Sequence, residues 1–196
     1  NQYCSPTLLY AAGRRDDSCH QARFGLLDTC LVVNNDIWYI GGGGHTRMGA
    51  AVTLTRNGTA TGELGSMQNC TIASNDLSSA VSVSRFAQSV RNNVILGGVS
   101  TQETGDNLTK LKGRFVANCI PEGWGSACVT EPPVFKNPRK GNFTPKAGSS
   151  VIGKAKPLLF ATDDLDFAGN PRVTRDGTQD IGCNQWMPSG LMLLVK

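Results

Sequence analysis

Apolar and polar residues alternate along this chain in short bursts and never in long stripes. Residues 50–55 (AAVTLT) and 80–84 (AVSVS) alternate apolar and polar side chains at the two-residue period of a half-buried strand. Four further segments share one plan: residues 29–35 (TCLVVNN), 69–75 (NCTIASN), 92–98 (NNVILGG) and 118–120 (NCI). Each sets a small or polar residue before a β-branched or apolar run. Turn-forming clusters separate the runs, at residues 41–44 (GGGG), Asn57-Gly58, Gly97-Gly98 and Gly105-Asp106-Asn107. No twelve-residue window presents a helical stripe. The pattern predicts an all-β chain of short strands at close spacing.

The four look-alike segments also repeat. Aligning Cys30, Cys70, Asn93 and Cys119 gives steps of 40, 23 and 26 residues. The last two suit a structural repeat of about 20–30 residues, and the first suits two short turns of the same structure. A sandwich or closed barrel would need antiparallel hairpins. A parallel β-helix stacks like positions on like positions, so that Asn bonds Asn between rungs while Cys, Val and Ile pile up inside. Recurrence of one residue pattern at rung spacing favours the coil, with about five to seven rungs. Residues 27–130 are assigned to rungs, 131–196 to the last rungs and a C-terminal capping tail, and 1–26 to an irregular N-terminal segment. No N-terminal cap is visible, so the open end is expected to rest on a preceding portion or on another chain.

Composition narrows the class. With 196 residues the chain can bury roughly 70% of its unfolded surface as one domain. Its 39% hydrophobic content and net charge of only +4 argue against disorder, and its 23 glycines show no triplet period, which excludes collagen. The +4 charge is too small, and the Lys and Arg too scattered, to predict nucleic-acid binding. The longest apolar stretches, such as residues 191–195, are too short for a transmembrane segment. The chain opens on Asn1 without a signal peptide, as expected of a mature chain or of a segment of a larger one.

Seven cysteines and two histidines, His20 and His45, invite a search for chemistry. No C-x-x-C pair occurs, so a zinc ribbon is not expected. The pairs Cys4–Cys19 and Cys119–Cys128 are close enough in sequence to close short disulfide loops if the protein is exported. Cys30, Cys70 and Cys119 also read as small buried hydrophobes. Neither histidine stands beside a nucleophile motif. Sequons for N-glycosylation occur at Asn57, Asn69, Asn107 and Asn142, of which Asn69 falls inside a rung.

Several runs resemble a known family. The Gly41–Gly44 run, Met67-Gln68-Asn69-Cys70-Thr71-Ile72 with Asn75, and Val90-Arg91-Asn92-Asn93-Val94-Ile95-Leu96-Gly97 are similar to rungs of secreted, right-handed parallel β-helix proteins of the pectate-lyase-like superfamily. The tail is the more specific match. Pro132-Pro133-Val134-Phe135-Lys136-Asn137-Pro138, Gly141-Asn142-Phe143 and Ala147-Gly148-Ser149-Ser150-Val151-Ile152-Gly153 resemble the stereotyped end of bacterial surface proteins in that superfamily. So do Asp164-Leu165-Asp166-Phe167-Ala168-Gly169-Asn170-Pro171-Arg172-Val173 and Asp180-Ile181-Gly182. The match covers about residues 27–186. Gly153 and Gln185 stand where the family has Asp and Glu, and Phe167-Ala168 is extra, so no role is carried onto those positions.

The resemblance implies a right-handed helix in a secreted or cell-surface protein whose partner is a polysaccharide or cell-surface glycan. It also implies two kinds of function. One is a structural, adhesive or carbohydrate-binding module. The other is a polysaccharide lyase, which needs Arg or Lys to neutralise a uronate and take a proton, sometimes with Ca²⁺ on Asp or Glu. Arg85, Arg91, Lys110, Lys112 and Arg114 are the candidate catalytic cations, with Glu103 and Asp106 nearby in sequence; the plainer reading is that they are solvated faces. Asp164 and Asp166, with Asp163, Asp176 and Asp180, are candidates for Ca²⁺, and equally for Asx-turn chemistry. Trp38, Tyr39 and Trp124 are candidates for sugar stacking, and equally for core packing.

Overall fold

The computed structural model describes residues 26–33, 38–41, 44–47, 50–54, 66–75, 79–84, 87–156, 165–174 and 176–188. The chain runs β1 (Leu26–Asp28), β2 (Leu31–Val33), β3 (Trp38–Gly41), β4 (Gly44–Arg47), β5 (Ala50–Leu54), β6 (Ser66–Gln68), β7 (Thr71–Ala73) and β8 (Ser79–Val83). There follow β9 (Val90–Arg91), β10 (Val94–Ile95), β11 (Val99–Ser100), α1 (Gly105–Lys112), β12 (Phe115–Val116), β13 (Phe135–Asn137), a 3-10 turn (Pro138–Lys140) and β14 (Asn142–Pro145).

Three parallel sheets make up the body. The first has the order β1-β6-β9-β12, the second β10-β7-β2 and the third β11-β8-β5. The chain visits first, second and third sheet in that order, and then starts again, so each of three passes adds one strand to every sheet and β12 begins a fourth. Register is strict: Leu27 pairs Met67 and Met67 pairs Val90 in the first sheet, while Val32 pairs Ile72 and Ile72 pairs Ile95 in the second. Val52, Val81 and Val99 line up in the third. Single bridges extend the pile past β12, with Val94 on Cys119, Val116 on Ser126 and Cys119 on Val129.

Two turns of phrase in the sequence are corrected by this register. Leu31 pairs directly with Thr71, so the 40-residue step is one pass and not two. The extra length includes an antiparallel hairpin, β3 on β4, between β2 and β5. The fourth member of the column is Asn118 and not Cys119, because Val94 opposes Cys119 and therefore Asn93 opposes Asn118. The reason is chemical. The buried Asn93 amide needs amide partners, and it donates to the Asn118 Oδ1 at 3.0 Å and to the Met67 carbonyl at 3.1 Å. Its own Oδ1 accepts from the Cys70 N–H at 2.9 Å, and Asn118 Oδ1 accepts from the Asn93 N–H at 2.9 Å. These bonds cross the corner between the first and second sheets, where each layer turns on a left-handed residue: Thr29, Asn69, Asn92, Ala117 and Ala127, all with φ of 51–54°.

Alternation of side chains then sorts the core. Met67, Val90 and Phe115 of the first sheet, Val32, Ile72 and Ile95 of the second, and Val81 and Leu54 of the third point into one shared interior. Each such side chain contributes about 1.5–3 kcal/mol on burial. The helix α1 closes part of this interior with a single fully buried residue, Leu111. One anchor in eight residues leaves no stripe, which is why the pattern did not announce it.

A second core lies outside the second sheet. Leu31, Ala73, Val94 and Cys119 face away from the interior and pack against Phe135, Phe143, Val151, Ile181 and Cys183 of the C-terminal region. The tail is thus a lateral strap. It runs back along the sheet: the buried Arg172 reaches Thr29 of the first described layer, with Nη2 donating to Oγ1 at 2.9 Å. Cys183 N donates to Thr71 Oγ1 at 3.1 Å, and Gly182 N donates to the Asn92 carbonyl at 2.8 Å. The physical cause is that strands of the second sheet are apolar on both faces, so their outer face needs a cover along its whole height.

Candidate functional site

The first sheet turns the opposite kind of face outward. Its two middle strands alternate: Ser66 and Gln68 flank the buried Met67, and the half-buried Arg91 follows the buried Val90, while β12 sets the half-buried Val116 in the Arg91 row. In register, Asp28, Gln68 and Arg91 form one polar column. Gln68 Nε2 donates to Asp28 Oδ2 at 2.9 Å, and Asn69 Nδ2 and Thr29 Oγ1 donate to Asp28 Oδ1 at 2.9 and 3.0 Å. A parallel column runs through Ser66, Ser89 and Arg114, since Met67 N donates to the Ser89 carbonyl and Val90 N to the Arg114 carbonyl. Ser66 Oγ donates to Gln88 Oε1 at 3.2 Å, and the Arg114 guanidinium donates to the Ala87 carbonyl.

Of the candidate cations, the structure therefore brings Arg91 of β9 and Arg114, just before β12, side by side on one half-buried face. Lys110 is exposed on α1. The Lys112 ammonium lies 5.2 Å from the centroid of the Trp124 ring, a cation–π arrangement. Trp124 also packs on Phe115, with ring centroids 5.3 Å apart and planes inclined at 59°. Its ring is engaged by the core and by Lys112 together. Trp38 and Tyr39 lie in β3 of the antiparallel hairpin, paired with Arg47 and Thr46. Arg85, Asp163, Asp164, Cys4 and Cys19 lie outside the described residues.

The acidic tail folds as Asx-turn chemistry. Asp166 is buried, and its Oδ1 accepts from the N–H groups of Ala168 at 2.9 Å and Asn170 at 2.7 Å. Its Oδ2 accepts from Gln185 N at 2.7 Å and Asn170 Nδ2 at 3.1 Å. A carboxylate saturated by N–H donors does not fit a Ca²⁺ loop, which needs its oxygens turned to the ion. Asp176 likewise accepts from Thr174 and Thr178, and those hydrogen bonds hold its carboxyl below the usual range. No group of three or more His, Cys, Asp or Glu suited to a metal occurs among the described residues.

Asp180 and Arg172 are buried in the same strap. Asp180 accepts from Gly153 N at 2.8 Å and Trp186 N at 2.5 Å, yet burial outweighs those bonds and raises its pKa. Arg172 donates to the carbonyls of Gly182 at 2.7 Å and Cys183 at 3.2 Å, and burial lowers its pKa. This cluster fastens the strap and leaves nothing turned to solvent.

The cysteines behave as packing residues. Cys119 and Cys128 are free thiols, so the short loop that their spacing allows is not closed. They belong to different faces: Cys119 packs under the strap and Cys128 against the interior. Burial pushes Cys119 and Cys183 up to about 12, and Cys70 is raised as well, so all three stay protonated near neutral pH.

Sequence reasoning missed one concentration of charge. Residues 132–162 carry Lys136, Arg139, Lys140, Lys146, Lys154 and Lys156 and no Asp or Glu. Those six charges exceed the net +4 of the whole chain, so the remaining residues sum to −2. Counting cations between successive carboxylates would have found it. Among the described residues, no helix is long and apolar enough to cross a membrane. In comparisons with known proteins, no family model, no curated protein and no solved structure matches this chain.

Proposed function

We propose that the chain is a right-handed parallel β-helix of the pectate-lyase-like kind, serving outside the cell or on its surface as a structural, adhesive or carbohydrate-binding module. The cyclic visiting of three in-register parallel sheets supports the coil. The strong right-handed preference of parallel crossovers supports its hand. The observation that carries the functional reading is the half-buried polar outer face of the first sheet's middle strands. Asp28, Gln68 and Arg91 repeat there at strand spacing, beside Ser66, Ser89 and Arg114. A flat ladder of amide, hydroxyl and guanidinium groups presents donors and acceptors to a polymer of sugar hydroxyls. Its one carboxylate, Asp28, already accepts three hydrogen bonds from within the chain, which suits a scaffold better than a base.

The test sets the chain against a panel of uronate polysaccharides with Ca²⁺, following ultraviolet absorbance from unsaturated products and, separately, retention on immobilised neutral glycans, which the hydroxyl-reading face of the first sheet should hold. Retention without new absorbance, weakened by Arg91→Gln, is the expected result. A steady rise in absorbance that Arg91→Gln or Arg114→Gln abolishes would replace this reading with a lyase.

A further inference from the structure

We infer that the β13–β14 ribbon is a second binding surface, specific for polyanionic polysaccharide, meaning carboxylated or sulfated glycan. Its site differs from the polar face of the first sheet, and its ligand is defined by charge.

The ribbon is held rigidly from below. Phe135 and Phe143 are buried beneath it with ring centroids 5.2 Å apart in an edge-on contact. Phe135 pairs with Pro145 and Asn137 with Asn142, and Lys146 N donates to the Val134 carbonyl at 2.8 Å. Strand alternation therefore sends Lys136 and Lys146 to the side away from the buried rings. Arg139 and Lys140 occupy the 3-10 turn that joins the strands, where Gly141 takes φ of 77° to complete the bend. All four cations are exposed, and none is ion-paired among the described residues. The ribbon thus displays four uncompensated positive charges on a fixed frame, while the chain outside residues 132–162 is net negative.

An unpaired cluster of like charge recruits an anion with matching multiplicity, because each weak exposed contact adds to the others on one polymer. Asn137 and Asn142 are exposed between the cations and offer amide groups to ring hydroxyls. Nucleic acid fits less well. The ribbon's two aromatic rings face inward, so none is left for base stacking, and the net-negative remainder of the chain opposes a long phosphate backbone.

The experiment measures binding of the full chain to dextran sulfate, polygalacturonate, neutral dextran and a short DNA duplex. Saturable, salt-sensitive binding to the two anionic glycans is expected, with none of that kind to neutral dextran and weaker binding to DNA. Raising NaCl from about 0.1 to about 0.5 M should release it. Replacing Lys136, Arg139, Lys140 and Lys146 together by Gln should weaken it about tenfold or more, while Lys110→Gln leaves it unchanged. Acetylation footprinting of the unmodified chain provides a second readout independent of the variant's folding: dextran sulfate should protect Lys136, Lys140 and Lys146 and not Lys110. Undiminished binding by the quadruple variant, or no protection of these lysines, would overturn the ribbon as the site. Binding that is tighter to DNA than to dextran sulfate would overturn the ligand class. Loss of glycan binding with Arg91→Gln alone would return the activity to the first sheet.

Discussion

The outer faces of the first and second sheets meet solvent on opposite terms, although the strands are neighbours in every pass. Strands of the second sheet read Leu31-Val32-Val33 and Thr71-Ile72-Ala73, with apolar groups on both sides, and the strap covers their outer row. The middle strands of the first sheet read Ser66-Met67-Gln68 and Val90-Arg91, and their outer row is polar and half-buried. The lesson is that coverage was written strand by strand. A parallel strand without alternation announces a second layer on top of it, and a strand with alternation announces a surface. Evolution of a ligand site is free to use the second kind of face, because its side chains do not hold the fold together.

The sharpest way to break that contrast is to empty the strap's anchor. Arg172→Ala leaves the Gly182 and Cys183 carbonyls and Thr29 Oγ1 without their donor in a buried site. A loss of about 3 kcal/mol is expected by urea unfolding, with early proteolytic release of the strap. Gln68→Ala on the polar face is the matched control and should cost under about 0.5–1 kcal/mol. Equal losses at the two sites would erase the distinction between the faces.

A subtler break uses one methyl group. Gly182 sits at φ of 106° where a Cβ would lie 2.8 Å from Thr71 Oγ1 and 3.0 Å from Val94 Cγ2. Both contacts are with the second sheet itself. Gly182→Ala should cost about 2 kcal/mol through strain and a lifted strap, read as a lower unfolding midpoint.

The smallest expected effect sharpens the comparison through pH. Burial raises Asp180 in the folded state above its unfolded value. The folded protein then holds more protons than the unfolded chain between those two values, so the stability of the strap falls as pH rises from about 4 through the folded pKa. Asp180→Asn should remove that slope, measured as the difference between the two proteins' stability–pH curves. Identical curves would show that the carboxylate titrates as if exposed.

Much of the architecture was legible in the residues themselves. The match of TCLVV, NCTIA and NNVIL gave parallel stacking, and Cys30, Cys70 and Asn93 do share a column. The fourth member was displaced by one because cysteine identity was weighed above amide chemistry. Asn118 satisfies Asn93, and a thiol at that place would have left a buried amide short of partners. The strap's path was partly legible too, since Leu31 and Val33 beside Val32 leave no polar face. What local pattern does not carry is distance across the fold: nothing in Arg172 itself names Thr29 as its partner, 143 residues away. The Cys119–Cys128 spacing misled for the same reason, because nearness along the chain does not say which side of a sheet a side chain takes. The basic ribbon stayed hidden because charge was totalled over the chain instead of over its parts.

The five left-handed corners have one more implication. Thr29, Asn69, Asn92, Ala117 and Ala127 all bend the backbone where only glycine bends freely, and β-branched Thr29 is the least suited. Non-glycine residues there cost of the order of 1 kcal/mol each, a tension repeated at the same edge in every layer. That cost therefore falls along one edge of the pile, and at the first described corner the Arg172 guanidinium, from the far end of the chain, fixes the Thr29 side chain through its hydroxyl.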